Sequence, residues 1–209
     1  HLAGLVKSKT VSLQHGVTKD DLSSWLNRYA KNISGFVVSS PAEEKSILEG
    51  NYGYTEKEVW LTGMPRFDRL ENKGEKFITI LPTWRRYLAG EIDISSGEWK
   101  NSESVKNSEY MRFWNGLLND EKLACALKKH GYRILFVPHP NMKSVCDLVD
   151  APHYVSVAEA PDYKHIYKIS SLMVTDYSSV VFDFAYLERP VIYAQFDKNE
   201  FFSGNHSYS

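Results

Sequence analysis

Cysteine is scarce in this sequence. The 209 residues hold two, Cys125 and Cys146, both in apolar, helix-like settings and without metal-ligand spacing. A disulfide framework is not expected, and a reducing, cytoplasmic setting is. Long apolar runs are missing too: none approaches the roughly 20 residues that a membrane-spanning helix needs. Net charge is close to nil, at −1. That removes bulk electrostatic attraction to nucleic acid, although a neutral total still has room for a local basic patch. Four short signatures are also absent: the phosphate loop G-x-x-x-x-G-K-[ST], the dinucleotide fingerprint G-x-G-x-x-G, the zinc-protease H-E-x-x-H and the nucleophile elbow G-x-S-x-G.

What is present is a globular composition, 43% hydrophobic and 24% charged, enough for one large domain or two small ones. Both ends, His1-Leu-Ala-Gly-Leu and Asn205-His-Ser-Tyr-Ser, read as interior sequence, so a piece of a longer protein is expected. Short β-branched runs alternate with amphipathic stretches. Strands are predicted at Val11–Gln14, Gly35–Ser39, Glu58–Leu61, Phe77–Leu81, Tyr132–Val137, Tyr154–Val157, Leu172–Thr175 and Pro190–Ala194. Helices are predicted over Leu22–Lys31, from Ser40-Pro41 to about Gly50, over Tyr110–His130, Asp162–Ile169 and Val180–Leu187. Ser40 with a proline after it and acids in the first turn is a helix start built from a cap, a fixed φ and a favourable dipole contact. The polar stretch 71–76 reads as a linker, and 87–109 as one long loop. Alternating β and α elements predict an α/β fold with parallel sheets in two lobes.

In such sheets ligands bind beyond the carboxyl ends of the strands. Four predicted strands end in unusual polar turns. The first carries His15-Gly16 and continues through Val17, Thr18, Lys19 and the pair Asp20-Asp21, acids whose default role is to cap the helix from Leu22. The glycine lets backbone approach a ligand, and histidine is the residue type suited to take or give a proton near neutral pH. The second, Pro82-Thr83-Trp84-Arg85-Arg86, offers arginine forks suited to phosphate, of which at most one faces a cleft. The third holds His139 rigidly between Pro138 and Pro140. The fourth is Thr175-Asp176-Tyr177-Ser178-Ser179, where the serines are placed to cap the next helix and its free N–H groups to meet phosphate. Two readings of that segment are open: an ordinary cap on a buried helix, or a phosphate cradle. Asp183, one turn on, suits a capping-box acid or a ligand for a ribose hydroxyl. Arg66, in Gly63-Met-Pro-Arg66, Thr83 and Asp176 are weaker candidates. His130, His153, His165 and His206 lack a comparable setting, and no carboxylate pair is spaced for a metal.

Four motifs stand in one order: Gln14-His-Gly-Val-Thr-Lys-Asp20, Leu81-Pro-Thr-Trp-Arg85, Val137-Pro-His-Pro140 and Thr175-Asp-Tyr-Ser-Ser-Val-Val-Phe-Asp-Phe-Ala185. The last runs on into Arg189-Pro-Val-Ile-Tyr193 and Gln195-Phe-Asp197. Together they resemble the CDP-glycerol glycerophosphotransferase family, the teichoic acid polymerases and primases and related capsule polymerases. The resemblance implies a GT-B-like fold of two Rossmann-like lobes. It implies transfer of glycerol phosphate, or a related polyol phosphate, from a CDP-activated donor to an acceptor hydroxyl on a lipid-linked or growing polymer, with release of CMP. It implies work at the cytoplasmic face of a bacterial membrane, with association through parts not in this chain. The sequence itself calls for no cofactor beyond the donor and leaves metal dependence open.

By the same resemblance His15 and His139 match the two histidines tied to activity and donor diphosphate binding. Gly16, Val17, Thr18, Lys19, Arg85, Pro138, Ser178, Ser179 and Asp183 match donor-holding segments. Residues 1–70 then form the rear of the acceptor-side lobe and 77–209 most of the donor lobe, with its end and the start of the first lobe missing. Two rival readings are a GT-B nucleotide-sugar glycosyltransferase, which would attack an anomeric carbon, and a non-catalytic module that binds an anionic polymer.

Overall fold

The computed structural model describes residues 8–85, 87–92, 99–101 and 105–203. Arg86 and His206 lie outside them. The chain divides into two compact units between Leu70 and Glu71.

In the first unit, β1 (Val11–Ser12), β2 (Gly35–Val38) and β3 (Val59–Leu61) form a parallel sheet in that order. Phe36 lies opposite Ser12 and Val59. The central strand is buried along its whole length, which is why Gly-Phe-Val-Val is apolar without alternation. Phe36 and Val38 pack with Leu26, Ile47, Tyr52, Tyr54 and Val59. The helix predicted over Leu22–Lys31 is two short ones, α1 (Ser23–Leu26) and α2 (Arg28–Lys31). Asn27 breaks it: its backbone is extended, and its side chain accepts from the Tyr29 N–H to start the second piece. The third helix, α3 (Pro41–Glu49), begins as expected, with Ser40 Oγ accepting from the Glu43 N–H at 3.2 Å.

The second unit is built on five parallel strands: β4 (Phe77–Leu81), β7 (Arg133–Phe136), β8 (Val155–Val157), β9 (Ser170–Thr175) and β10 (Val191–Tyr193). Their order is β10-β9-β4-β7-β8. The chain therefore winds outward from β4 through β7 to β8, then returns to the other side of β4 with β9 and β10. The direction reverses between β4 and β9, and such switch points are where open α/β sheets bind their ligands. Helices α4 (Glu109–Leu118) and α5 (Glu121–His130) replace the single helix predicted over Tyr110–His130. Asp120 caps the second by accepting from the Leu123 N–H at 2.7 Å, and Gly131 closes it in the left-handed conformation, φ 70°. Trp114, Leu118, Leu127, Ile134, Phe136 and Val145 form the core with Ile80 and Val174.

The stretch 87–109, expected as one loop, contains an antiparallel ladder, β5 (Ala89–Ile92) with β6 (Trp99–Asn101). Strands of four and three residues in a polar, Ser/Asn/Glu-rich stretch carry too little alternation to be read from sequence. The remaining helices are α6 (Tyr163–Ile169), α7 (Val181–Tyr186) and α8 (Lys198–Phe201), the last not anticipated.

The stretch 71–76 is fastened to the second unit. Glu71 pairs with Lys168 at 2.6 Å, and the Gly74 N–H donates to the Lys168 carbonyl. Asn72 Oδ1 accepts from Arg189 Nε at 2.8 Å. Arg189 also donates to the carbonyls of Tyr167 and Ser170 at the end of α6.

Candidate functional site

Three adjacent strands of the second unit, β9, β4 and β7, deliver the predicted turns side by side. The Thr175 hydroxyl donates to the Leu81 carbonyl at 2.7 Å, and the Val137 N–H to the Ile80 carbonyl at 2.9 Å. These bonds tie the three strand ends together just below the switch point.

At the centre lies Arg85, and the structure corrects its expected role. Its side chain is 0% exposed. Nε donates to Asp197 Oδ2 at 2.7 Å, and one terminal nitrogen to Asp197 Oδ1 at 3.0 Å and Asp176 Oδ2 at 2.9 Å. The other donates to the Thr83 carbonyl at 2.7 Å. The rings of Tyr110, Tyr177, Phe196 and Phe201 surround the guanidinium at 5.0–5.8 Å. Burial pushes its pKa down, but hydrogen bonding to Asp197 and the charges of Asp176 and Asp197 outweigh burial and hold it above the ordinary arginine value. A fork already committed to two carboxylates has none to offer a phosphate. Arg85 is the keystone of the strand ends.

Asp176 is corrected in the same way. It is fully buried, and Oδ1 accepts from the Thr83 and Tyr177 N–H groups at 2.8 and 2.7 Å, Oδ2 from Arg85. It therefore fixes the turns after β4 and β9 to each other. The Tyr177 hydroxyl completes the cluster by donating to Asp197 at 3.1 Å. Sequence reasoning assigned Asp197 no role, because 112 positions separate it from Arg85. Its place in the motif continuation Gln195-Phe-Asp197 was the available signal. Thr83 spends its backbone on Asp176 and Arg85, but its hydroxyl is buried with no hydrogen-bond partner.

His139, half-buried after β7, follows the buried Pro138 and starts a 3₁₀ segment, Pro140–Leu148. Its Nδ1 accepts from the Asn141 N–H at 3.1 Å. When neutral, the ring therefore carries its proton on Nε2. Trp84 stacks on the ring, centroids 6.1 Å apart. Ser178 and Ser179 are half-buried after β9, but neither caps α7 with its side chain. The cap residue is Val180, whose N–H approaches Ser178 Oγ at 3.4 Å. The expected cradle thus rests on serines in a turn ahead of a helix six residues long. Asp183 is buried in the first turn of that helix, which favours its reading as a first-turn acid over a ribose ligand.

The first unit carries the other group. Gln14 is left-handed, φ 53°, a conformation that costs a non-glycine residue about 1 kcal/mol or more. It turns the chain so that His15 stands exposed after β1. The His15 carbonyl accepts from Arg66, so this arginine, too, is bound to the protein itself. Gly16 is buried and Val17 half-buried. The Thr18 N–H donates to Glu43 at 2.7 Å, and exposed Lys19 pairs with Asp20 at 3.1 Å. Asp21 accepts from the Ser23 N–H at 2.9 Å, and the bonds from Ser23 hold its carboxyl below the usual range. Glu43 was noted at the sequence level only as a first-turn acid. Its spacing, three residues after Ser40, was the available signal of a capping box. Among the described residues no group of three His, Cys, Asp or Glu side chains is placed to hold a metal ion.

The model of the CDP-glycerol:poly(glycerophosphate) glycerophosphotransferase family matches residues 6–208. The minor teichoic acid biosynthesis protein GgaB of Bacillus subtilis (strain 168) is 41% identical over 194 residues, 92% of this chain and 22% of GgaB. A teichoic acid glycerol-phosphate transferase of Staphylococcus aureus (strain NCTC 8325 / PS 47) is 28% identical over 79% of this chain and 42% of its own length. The chain thus spans less than half of these relatives. Among solved structures, a variant of the wall teichoic acid polymerase TagF superposes with a TM-score of 0.62 at 18% identity, covering 94% of this chain and 52% of that one. That likeness extends to the fold, α/β and GT-B-like with parallel sheets. A family match along almost the whole sequence, together with the fold it calls for, establishes that the chain belongs to the CDP-glycerol:poly(glycerophosphate) glycerophosphotransferase family.

Proposed function

We propose that the protein containing this chain transfers glycerol phosphate, or a related polyol phosphate, from a CDP-activated donor to an acceptor hydroxyl on a lipid-linked or growing cell-surface polymer. The observation that carries this reading is the family match over residues 6–208, which takes in both histidine turns. In the reaction the acceptor oxygen attacks the β-phosphorus of the donor. The new P–O bond forms as the bond to CMP breaks, CMP leaves with the electron pair, and the hydroxyl proton passes to a base.

His15 is assigned as that base, an exposed imidazole on a loop pinned by Arg66 and Glu43. His139 is assigned to the donor diphosphate through its Nε2–H, supported by the orientation that Asn141 and Trp84 impose. Ser178, Ser179 and the unpartnered Thr83 hydroxyl supply further donors at the switch point. Gly16, Val17, Lys19 and Pro138 shape the two turns. Arg85 and Asp176 act one step back, holding the strand ends. Peripheral attachment to the inner face of the membrane is assigned to parts beyond this chain.

The test is donor choice. Full-length protein given an acceptor polymer is expected to release CMP from CDP-glycerol or CDP-ribitol. Release of UDP from a UDP-sugar, with CDP donors untouched, would replace this reading with that of a sugar transferase.

A further inference from the structure

The Glu43 side chain joins two loops of the first unit. It is 3% exposed. Oε1 accepts from the Thr18 N–H at 2.7 Å, while Oε2 accepts from the Ser39 N–H at 2.7 Å and the Ser39 hydroxyl at 2.8 Å. In an ordinary capping box the acid at this position reaches back to the cap residue's own N–H. Here it reaches one residue further, to Ser39, and across to a loop 25 positions away. The first turn of α3 gives the carboxylate a favourable dipole, which offsets part of the cost of burying it. The site demands a carboxylate: two backbone N–H groups approach opposite oxygens, and an amide would turn its own donors on one of them.

The loop that Glu43 holds is also held at its other end, where Arg66 donates to the His15 carbonyl. Between those anchors the buried Gly16 and half-buried Val17 have little freedom, while the His15 side chain remains exposed. We propose that Glu43 is a positioning residue. Through the Thr18 N–H it fixes the height and direction of the loop from which His15 projects. The role in turnover rests on the assignment of His15 under the proposed function; the anchoring of the loop does not.

The experiment compares Glu43→Ala, Glu43→Gln and Ser40→Ala in the full-length protein by amide hydrogen exchange and by donor kinetics. Ser40→Ala weakens the same helix by deleting its cap but leaves Thr18 and Ser39 bonded to Glu43. Glu43→Ala is expected to speed exchange across residues 16–19 roughly 10-fold or more and to lower kcat by a similar factor with a smaller change in KM. Glu43→Gln is expected to fall between it and wild type, and covers the case in which the alanine variant fails to fold. Ser40→Ala is expected to keep both near wild type, although its melting midpoint drops. Unchanged exchange over 16–19 in the Glu43 variants overturns the proposal. So does an equal loss of kcat in Ser40→Ala, which would make the effect one of helix stability. Exchange is read without donor. A wild-type protein that turns over no CDP-polyol therefore counts against the proposed function, while exchange alone decides the anchor.

Discussion

At the scale of single residues, the strongest constraint is the buried cluster of Arg85, Asp176, Asp197 and Tyr177. One cation faces two carboxylates inside an aromatic box, and each carboxylate accepts at least one further hydrogen bond from the protein. Replacing such a network by apolar residues is often neutral, whereas removing one partner strands a buried charge. Asp197→Ala is therefore expected to cost about 3–5 kcal/mol in urea unfolding. It should also lower donor affinity, because the turns after β4 and β9 lose their shared anchor.

His15 belongs to the same scale but has the opposite character, being exposed. His15→Ala is expected to cut turnover by roughly 10² or more while leaving the urea midpoint near wild type. Near-normal turnover would remove it as the base. Arg85 shows what sequence could not convey. An arginine after a buried strand suits a phosphate as well as a carboxylate, and its actual acids come from strand ends 91 and 112 positions away.

At the scale of elements, local chemistry was the readable part. Ser40, Asp120 and Asp162 cap their helices through side-chain oxygens. Asp120→Ala is expected to lower stability by about 1 kcal/mol, measured as a urea midpoint shift with unchanged m-value. Buried strands such as Phe77–Leu81 stand out because apolar, β-branched runs have few alternatives. Breaks inside amphipathic stretches were hidden, since the apolar spacing continues through Asn27 and Asn119 while the backbone does not. The serines after β9 illustrate the limit. Their composition announces a cap, yet Val180 takes the cap position and the serines stay in the turn.

At the scale of the whole molecule, strand order was the missing information. The polar turns were visible one by one, but their grouping follows from the order β10-β9-β4-β7-β8, which places the reversal between β4 and β9. Pairing between strands 90 or more positions apart leaves no local mark on either.

A bulk property follows from the buried tyrosines. Burial with Asp176 nearby, and burial with Asp197 nearby, push Tyr110 and Tyr177 above the ordinary 10.0. Each phenol is thus held neutral in the folded state and ionises more readily when unfolded. Their contribution is complete below pH 10.0 and is lost progressively as the pH rises above it. Urea midpoints are expected to fall as the pH rises above 10.0, with tyrosinate absorbance lagging behind that of the unfolded chain. Full ionisation at the ordinary value with no loss of stability would contradict the packing described.

Attack on phosphorus, and not on a sugar carbon, separates the proposed reaction from its rival. Phosphorus NMR of an acceptor polymer incubated with the full-length protein and CDP-glycerol tests this most directly. A new phosphodiester signal on the polymer is expected, with one CMP released for each unit added. A polymer extended without gaining phosphorus, or a donor left intact beside a competent acceptor, would contradict it.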